Sequence, residues 1–181
     1  LLDIVPAELT SEEQKRKLDI KTPLVRNRIA RQGLEAARKS KPAAFFTEDA
    51  ASLVTVGNFD DHLSWVAESD WIIEAVAEQM ETKRALWQKV AAIRKPGTVA
   101  STNSSGLSVA GIASGLPEEF RQHWLGTHFF NPPRYLHLLE LIPGPDTLPE
   151  IVEQVSHFAD QRLGKGVVIA KDTPNFIANR I

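Results

Sequence analysis

Short, almost continuous apolar runs alternate along the chain with segments in which apolar residues recur every three or four positions. The runs are typical of β-strands, and the repeats are typical of amphipathic helices. Strands are predicted at 1–5, 53–56, 71–76, 98–102, the residues leading to 128, 136–142 and 167–170, and helices at 11–17, 24–39, 63–68, 81–93, 108–114 and 147–163. This alternation predicts an α/β fold with a largely parallel sheet and right-handed crossovers.

Local signals add detail to several of these elements. The residues from Thr10 to Glu13 read Thr-Ser-Glu-Glu, a capping-box pattern that starts a helix. The run at 71–76 is almost continuously apolar, which predicts a strand covered on both faces. The predicted buried residues are Leu86, Val90 and Ile93 in the helix at 81–93, and Ile151, Val155 and Phe158 in the last helix.

The composition is that of an ordinary globular protein. Of 181 residues, 43% are apolar and 24% are charged, and the formal net charge is −2, so no basic face for nucleic acid is indicated. The absence of cysteine excludes disulfides, thiolate catalysis and cysteine-based metal sites, and no pair of histidines has convincing metal-ligand spacing. No apolar run approaches the ~20 residues of a membrane span. We therefore expect a cytoplasmic protein without a metal site.

The segment from Gly126 to Glu140 carries the strongest candidate chemistry. His128 ends one short strand and Glu140 lies inside the next, with Asn131 and two prolines in the turn between them. A hairpin-like reversal would bring the carboxylate against the imidazole ring, which is the arrangement of a general base and its orienting group. The alternative is a packing histidine and a solvent-facing glutamate. Apolar neighbours on both sides of Glu140 favour burial with a partner.

Other polar residues follow the ends of other predicted strands. Asp3 ends the first strand, Glu78 follows the strand at 71–76, and residues 103–105 follow the strand at 98–102. Because ligands lie beyond the carboxyl ends of such strands, these positions predict a nucleotide cofactor. Asp3 would accept hydrogen bonds from the adenine ribose and, with no arginine beside it, favours NAD over NADP, although a turn-capping aspartate is the alternative. The glycine-rich phosphate loop expected ~20 residues earlier is absent, which indicates a fragment of a longer chain.

Several motifs occur together in the order found in one enzyme family. They are Glu-Ala-Val-Ala-Glu at 74–78, Asn-Ser-Ser-Gly-Leu at 103–107, His-Phe-Phe-Asn-Pro at 128–132 with Glu140, and Lys-Asp-Thr-Pro-Asn-Phe-Ile-Ala-Asn-Arg at 171–180. Over essentially its whole length the chain resembles the L-3-hydroxyacyl-CoA dehydrogenase family, and polar segments at 23–28 and 40–43 resemble its long, multidomain bacterial members. The resemblance implies a Rossmann-like, doubly wound α/β fold that lacks, within this chain, the first strand and the phosphate-binding loop. It also implies an NAD-binding domain at 1–173 and the start of a helical C-terminal dehydrogenase domain at 174–181.

The resemblance implies roles for particular residues as well. The implied catalytic residues are His128 as general base, Glu140 as its partner, Ser105 and Asn179. The implied cofactor contacts are Asp3, Glu78, Lys83, Ser105 and Asn131. Taken alone, Ser105 could equally cap the following helix, Lys83 and Glu78 could form a solvated pair, and Asn179 could be a surface residue. Asn175 departs from the family pattern because a glycine usually follows this proline, and an altered turn is expected there.

The implied reaction is the NAD-dependent oxidation of an L-3-hydroxyacyl-CoA to the 3-ketoacyl-CoA in fatty acid β-oxidation. His128 would take the hydroxyl proton, so activity is expected to rise with pH as the imidazole loses its own proton. The implied partner is an acyl-CoA substrate, and the implied assembly is a homo-oligomer formed through the C-terminal domain. Two alternatives stay open. One is a catalytically inactive domain that binds a nucleotide or a partner protein, and the other is a 3-hydroxyacid dehydrogenase that acts on free acids.

Overall fold

The computed structural model describes residues 1–180, and the chain divides into two compact units, Leu1–Trp65 and Val66–Ile181. The strands of the first unit, β1 (Leu2–Asp3) and β2 (Gly57–Asn58), pair in parallel. Its helices are α1 (Ser11–Lys15), α2 (Pro23–Arg26), α3 (Arg28–Lys39) and α4 (Phe59–His62), with a 3-10 helix at Glu48–Leu53; a second 3-10 helix, Leu63–Glu68, crosses the boundary between the units.

The capping box predicted at Thr10 is confirmed, because the Glu13 N–H donates to Thr10 Oγ1 over 3.2 Å and the Thr10 N–H donates to Glu13 Oε2 over 2.8 Å. The helix expected at 24–39 is broken at Asn27, whose φ of −98° and ψ of 13° leave the helical region. The side-chain oxygen of Asn27 accepts a 2.6 Å hydrogen bond from Asn58 Nδ2, and both residues are buried. A tertiary hydrogen bond therefore interrupts a pattern that is helical on both sides.

The strand expected at 53–56 is wrong, since the strand that forms is Gly57–Asn58 and Leu53 ends a 3-10 helix. The Gly57 N–H donates to the carbonyl of Leu1 over 2.9 Å. A Cβ at Gly57 would lie 2.9 Å from atoms of three neighbouring side chains. The packing of Leu2, His62 and Trp65 around this position therefore needs a residue without a side chain.

The second unit is built on a five-stranded sheet. Its strands, in spatial order, are β3 (Trp71–Glu74), β4 (Val99–Thr102), β5 (Trp124–Phe129), β6 (Leu138–Pro143) and β7 (Gly166–Ile169). The helices are α5 (Met80–Ala91), α6 (Val109–Ile112), α7 (Glu118–Gln122) and α8 (Pro149–Leu163), and a 3-10 helix spans Ala178–Arg180. β5 and β6 pair antiparallel, and the other three pairs of neighbours are parallel. The predicted α/β fold with a largely parallel sheet is confirmed.

A hydrophobic cluster between α8 and the sheet holds this unit together. Its buried members are Val99, Leu125, Leu139, Leu141, Ile151, Val155 and Ala159. Burying one such aliphatic side chain stabilises a fold by roughly 1.5–3 kcal/mol, before the cost of ordering the chain. α8 ends at Gly164, whose φ of +64° suits a residue without a Cβ. No helix within residues 1–180 is long and apolar enough to cross a membrane.

The buried face of α5 differs from the predicted one. Leu86 is half-buried and Ile93 is exposed, whereas Lys83, Trp87 and Val90 are buried. The Trp87 ring packs edge-on against Phe120 and Trp124, at centroid distances of 5.6 and 4.7 Å. This aromatic cluster fixes the rotation of the helix and turns a lysine toward the interior.

The predictions for Phe158 and for the strand at 71–76 are also wrong in part. Phe158 is 43% exposed and packs edge-on against Trp71 at 5.9 Å, while the smaller Ala159 occupies the buried position of α8. β3 is an edge strand of its sheet, and Ile73 is exposed while the next residue, Glu74, is buried. Because side chains alternate along a strand, Trp71 and Ile73 share one face, and that face is packed at Trp71 but open at Ile73.

Candidate active and cofactor site

The antiparallel pairing of β5 and β6 places His128 directly opposite Glu140. Side chains of directly opposed residues share one face of a sheet, and here Nδ1 of His128 lies 2.7 Å from Oε2 of Glu140. Both residues are buried, with 4% and 1% of their surface exposed. The predicted reversal therefore does bring the imidazole and the carboxylate together, and the solvent-facing alternative does not describe Glu140.

The Glu140 carboxylate has a set of donors that compensates its burial. Oε1 accepts the backbone N–H groups of Ile177, over 3.0 Å, and Ala178, over 2.9 Å, while Oε2 faces His128. A carboxylate without such partners would be costly to bury. An ionised carboxylate only accepts hydrogen bonds, so the contact fits the tautomer that has its proton on Nδ1 and a free lone pair on Nε2. The ring can therefore take a proton at Nε2.

Aromatic rings surround the imidazole. The ring centroids of Phe130 and Phe176 lie 4.4 and 5.7 Å from that of His128. Phe176 is held there by a left-handed turn, in which Asn175 has a φ of +63° and Phe176 one of +50°. Asparagine tolerates this region better than other residues with a side chain, so Asn175 can occupy a position where glycine is usual in the family. The turn brings the segment after β7 against the histidine.

The turn after β4 carries the next group of polar atoms. Its centre is Ser105, which is exposed, and the Ser105 N–H donates to Glu78 Oε1 over 2.9 Å. The hydroxyl of Ser104 donates to the same carboxylate oxygen. Asn179 Nδ2 donates to the Ser105 carbonyl over 3.3 Å, and the side-chain oxygen of Asn103 accepts the Phe129 N–H over 2.9 Å. The predicted residues Glu78, Ser105 and Asn179 are thus connected, and Asn103 ties their turn to the end of β5 beside His128.

Glu78 links this turn to a buried lysine. Its Oε2 lies 3.1 Å from Nζ of Lys83, whose side chain is 1% exposed, whereas 44% of the Glu78 side chain is exposed. Partial burial raises the pKa of Glu78, but hydrogen bonds from the turn and from Lys83, together with the charge of Lys83, outweigh it and leave the pKa below its ordinary value. Glu78 is therefore a partly exposed carboxylate held in its charged form.

Asn131 lies exposed in the loop that joins β5 and β6. The loop is held by Lys165, whose Nζ donates to the carbonyls of Pro133 and Leu136, the latter over 2.8 Å. Burial lowers the pKa of Lys165. A buried ammonium that bonds two carbonyls of one loop restricts the conformations of that loop, and so also the position of Asn131.

Asp3 belongs to the first unit, where it ends β1. Its Oδ1 accepts the N–H of Ile4 over 2.7 Å, so the side chain caps the backbone of the next residue and not that of a turn two residues on. The second carboxylate oxygen is not engaged in that bond, so the cap and a ribose contact are chemically compatible.

Several residues of the second unit that shape the site were not predicted from sequence. They are Glu74, Lys165, Asp172 and Phe176. A charge inside an apolar strand could have pointed to Glu74, because such a group needs a buried partner. Asp172 gave no local signal, although its carboxylate accepts the N–H groups of Val109, over 2.9 Å, and Ala110, over 2.8 Å, some 60 residues earlier in the chain. Within residues 1–180 no cluster of three or more histidine and acidic side chains has the arrangement of a metal site.

A largely parallel sheet with polar groups past the carboxyl ends of its strands defines a Rossmann-like α/β domain. The chain belongs to the family described as 3-hydroxyacyl-CoA dehydrogenase, NAD binding domain, whose model matches residues 4–173. It is 49% identical over 181 residues to a probable 3-hydroxyacyl-CoA dehydrogenase of Bacillus subtilis, covering 100% of this chain and 23% of that protein. A protein of the same description from Deinococcus radiodurans is 47% identical over 156 residues, which are 86% of this chain and 45% of that one.

The fold has counterparts among solved structures. The 3-hydroxybutyryl-CoA dehydrogenase of Escherichia coli matches with a TM-score of 0.66 and 28% identity, covering 96% of this chain and 34% of the other. The chain therefore spans less than half the length of these relatives. The resemblance inferred from the sequence motifs is confirmed.

The residues of the second unit fit part of an NAD molecule. Glu78 offers a charged, partly exposed acceptor, and Ser105 and Asn131 offer exposed groups that both donate and accept. Such groups suit the ribose hydroxyls and the amide of a nicotinamide nucleotide. A glycine-rich loop for the pyrophosphate does not occur in the 181 residues. The fit is therefore to the nucleoside portions of the cofactor.

Proposed function

We propose that the protein catalyses the NAD-dependent oxidation of L-3-hydroxyacyl-CoA to 3-ketoacyl-CoA, as a step of fatty acid β-oxidation. The observation that carries this proposal is the buried contact of 2.7 Å between His128 and Glu140. A structural histidine would not need a buried carboxylate that is itself anchored by two backbone N–H groups. A general base does, because its tautomer and orientation must be fixed before the reaction.

In the proposed reaction, Nε2 of His128 takes the proton of the substrate's 3-hydroxyl group. NAD, when bound, supplies the acceptor for the hydride that leaves C3. Glu140 stabilises the imidazolium that forms, since its charge lies against Nδ1. Ser105 and Asn179 are proposed to position the reacting oxygen and the histidine. Positioning of this kind can contribute several kcal/mol to catalysis.

The cofactor contacts are proposed for each unit separately. In the second unit they are Glu78, Ser105 and Asn131, while Lys83, predicted as a contact but only 1% exposed, supports Glu78 from the interior. In the first unit Asp3 remains a candidate for the adenine ribose. The helical C-terminal domain expected from residue 174 onward, the homo-oligomer formed through it and the cytoplasmic location stay predictions.

The proposal is tested with the complete protein and a short-chain L-3-hydroxyacyl-CoA, by following NADH formation. We expect turnover in the wild type, and a loss in His128→Gln of roughly 10²–10⁴-fold, the usual contribution of a general base. NAD affinity should stay within about twofold, because the change does not touch the nucleotide contacts. His157→Gln, an exposed histidine on α8, is the matched control and should keep full activity.

Three results would contradict the proposal. Retention of most turnover in His128→Gln would remove the histidine from its role. Turnover with the free 3-hydroxyacid, but not with the CoA thioester, would favour an acid dehydrogenase. NAD binding without turnover of either substrate would identify a catalytically inactive nucleotide-binding domain.

A further inference from the structure

Three ionisable side chains meet at the carboxyl end of β3. Nζ of Lys83 lies 2.7 Å from Oε1 of Glu74 and 3.1 Å from Oε2 of Glu78. The side chains of Lys83 and Glu74 are essentially inaccessible to solvent, while Glu78 is partly exposed. The ammonium group therefore bridges an interior carboxylate and a carboxylate at the surface.

Both carboxylate oxygens of Glu74 accept hydrogen bonds. Its Oε1 also accepts the N–H of Val76 over 2.7 Å, and its Oε2 accepts the hydroxyl of Thr102 over 2.7 Å. These bonds join the end of β3 to the end of β4. With three donors, the Glu74 carboxylate has little freedom, so it provides a fixed point of negative charge for Lys83.

The same network reaches the turn that carries Ser105. The Thr102 hydroxyl accepts the Ser104 N–H over 3.2 Å, and Glu78 Oε1 accepts the Ser105 N–H. Glu78 is thus held from two sides, by Lys83 through one oxygen and by the turn through the other. A shift of the Lys83 ammonium would move Glu78 relative to Ser105.

We propose that Glu74 is a positioning residue of the cofactor site: it fixes Lys83, and Lys83 holds Glu78 against the Ser104–Ser105 turn in the geometry that receives NAD. Glu74 itself does not reach the surface and makes no contact with the cofactor. This inference rests on the proposed function, and specifically on Glu78 and Ser105 as cofactor contacts.

The competing explanation is that the cluster serves folding alone. In that case Lys83 needs one buried carboxylate to compensate its charge, and Glu74 supplies it. The partly exposed Glu78 would then be a dispensable third member. The two explanations differ in what they predict for the Michaelis constant of NAD.

The experiment compares Glu74→Gln with the wild type in the complete enzyme. The amide keeps the size of the side chain but removes the charge that faces Lys83. We expect the Kd and KM for NAD to rise about tenfold, with kcat at saturating NAD and the KM of the acyl substrate within about twofold. The pH profile of kcat should not move, because the His128–Glu140 pair is untouched. An unchanged KM for NAD would overturn the inference.

A control variant addresses general destabilisation. Glu119→Gln changes another carboxylate that faces a buried cation, since Arg94 lies 2.7 Å from Glu119 and also bonds the carbonyl of Thr98, before the amino end of β4. Glu119 also accepts the backbone N–H of Gly97, as Glu74 accepts that of Val76. This variant should lose stability without changing the KM for NAD. An equal rise of the KM for NAD in Glu74→Gln and Glu119→Gln would show that Glu74 acts through stability alone.

A double-mutant cycle then tests whether Glu74 acts on NAD binding through Glu78. If Glu74 acts through Glu78, the double variant Glu74→Gln/Glu78→Gln should bind NAD no more weakly than Glu78→Gln alone. If the loss of NAD affinity in the double variant equalled the product of the losses in the two single variants, the inference would be overturned. Should Glu74→Gln fail to fold, the cycle is run with Glu74→Asp, which keeps the charge but moves it back by one methylene. We expect Glu74→Asp to weaken NAD binding roughly threefold in the wild-type background and not at all in the Glu78→Gln background. If NAD binding is also weakened in the Glu78→Gln background, Glu74 does not act through Glu78.

Failure of this inference is distinguishable from failure of the proposed function. If the wild-type enzyme neither binds NAD nor oxidises the substrate, the proposed function fails and the positioning role falls with it. If the wild type does both and Glu74→Gln binds NAD equally well, only the positioning role is wrong.

Discussion

Glu74 and Glu140 are both buried carboxylates in strands of the five-stranded sheet, and they differ in what faces them. Each has three hydrogen-bonding partners, of which one is a backbone N–H group for Glu74 and two are backbone N–H groups for Glu140. The decisive partner of Glu74 is a lysine, a side-chain type that is ordinarily a cation at neutral pH. That of Glu140 is a histidine, which can gain and lose a proton near neutral pH. The pair of Glu74 and Lys83 is suited to holding neighbouring charged groups in place, and the pair of Glu140 and His128 is suited to proton transfer.

The largest effect should come from Glu140→Gln. Ile177 and Ala178 will keep the carbonyl oxygen of the new amide, because both can only donate. The amide NH₂ then faces Nδ1 of His128, which places the ring proton on Nε2 and removes the proton acceptor. We expect kcat to fall by roughly 10³-fold while the KM for NAD stays within about threefold.

Nitrogen NMR of the His128 ring would report the change of tautomer directly. Glu119→Gln serves again as the control, with an unchanged tautomer and normal kcat. If Glu140→Gln kept wild-type turnover, the distinction between the two carboxylates would be lost.

Lys83→Met tests the other half of the comparison through stability. Removing the ammonium leaves the buried carboxylate of Glu74 without its cation, and breaking a buried pair in this way typically costs about 3–5 kcal/mol. The midpoint of urea unfolding should fall accordingly. Lys95→Met, at an exposed pair with Asp70, should cost no more than about 1 kcal/mol. Similar midpoints for the two variants would mean that the Glu74 carboxylate does not depend on Lys83.

The smallest effect concerns the pH dependence of NAD binding. Because the pKa of Glu78 is lowered in the folded protein, its carboxylate interactions are fully present above the unfolded value of about 4.3 and are lost only as the pH falls through the lower folded value. We expect the Kd for NAD to stay flat from about pH 8 to about pH 5, whereas kcat should fall toward acid, as it does in enzymes that use a neutral histidine as general base. Parallel changes in Kd and kcat would show that the two regions are not electrostatically independent.

Sequence patterns were most reliable where the signal was local. The capping box at Thr10 forms and the last helix ends at residue 163 as predicted, since the partners of both signals lie within a few residues. The pair of His128 and Glu140 was also predictable, because a short reversal between two apolar strands leaves few possible registers. The prediction of a strand at 53–56 failed, since the strand that forms, Gly57–Asn58, pairs with β1 at the start of the chain.

Sequence spacing also failed to predict which face of α5 is buried. In α5 the apolar spacing favoured Leu86 and Ile93, but the aromatic contacts of Trp87 with Phe120 and Trp124 set a different rotation. Lys83 was expected to lie near the nucleotide, and its burial between two carboxylates could not be inferred from spacing. Its partners Glu74 and Glu78 precede the helix, so the periodicity within the helix does not reveal them.

The sequence by itself determined the alternation of strands and helices, the family and the candidate base with its carboxylate. These properties depend on residue type, short-range spacing and linked motifs. Only the tertiary structure decided which groups form hydrogen bonds and ion pairs. Ile177 and Ala178 donate to Glu140, Glu74 pairs with Lys83, and Lys165 donates to the loop that carries Asn131. The contacts of Glu140 and Lys165 join residues 29 to 38 positions apart, and that of Lys83 with Glu74 joins a strand to the helix that follows it. Packing alone brings such groups within hydrogen-bonding distance.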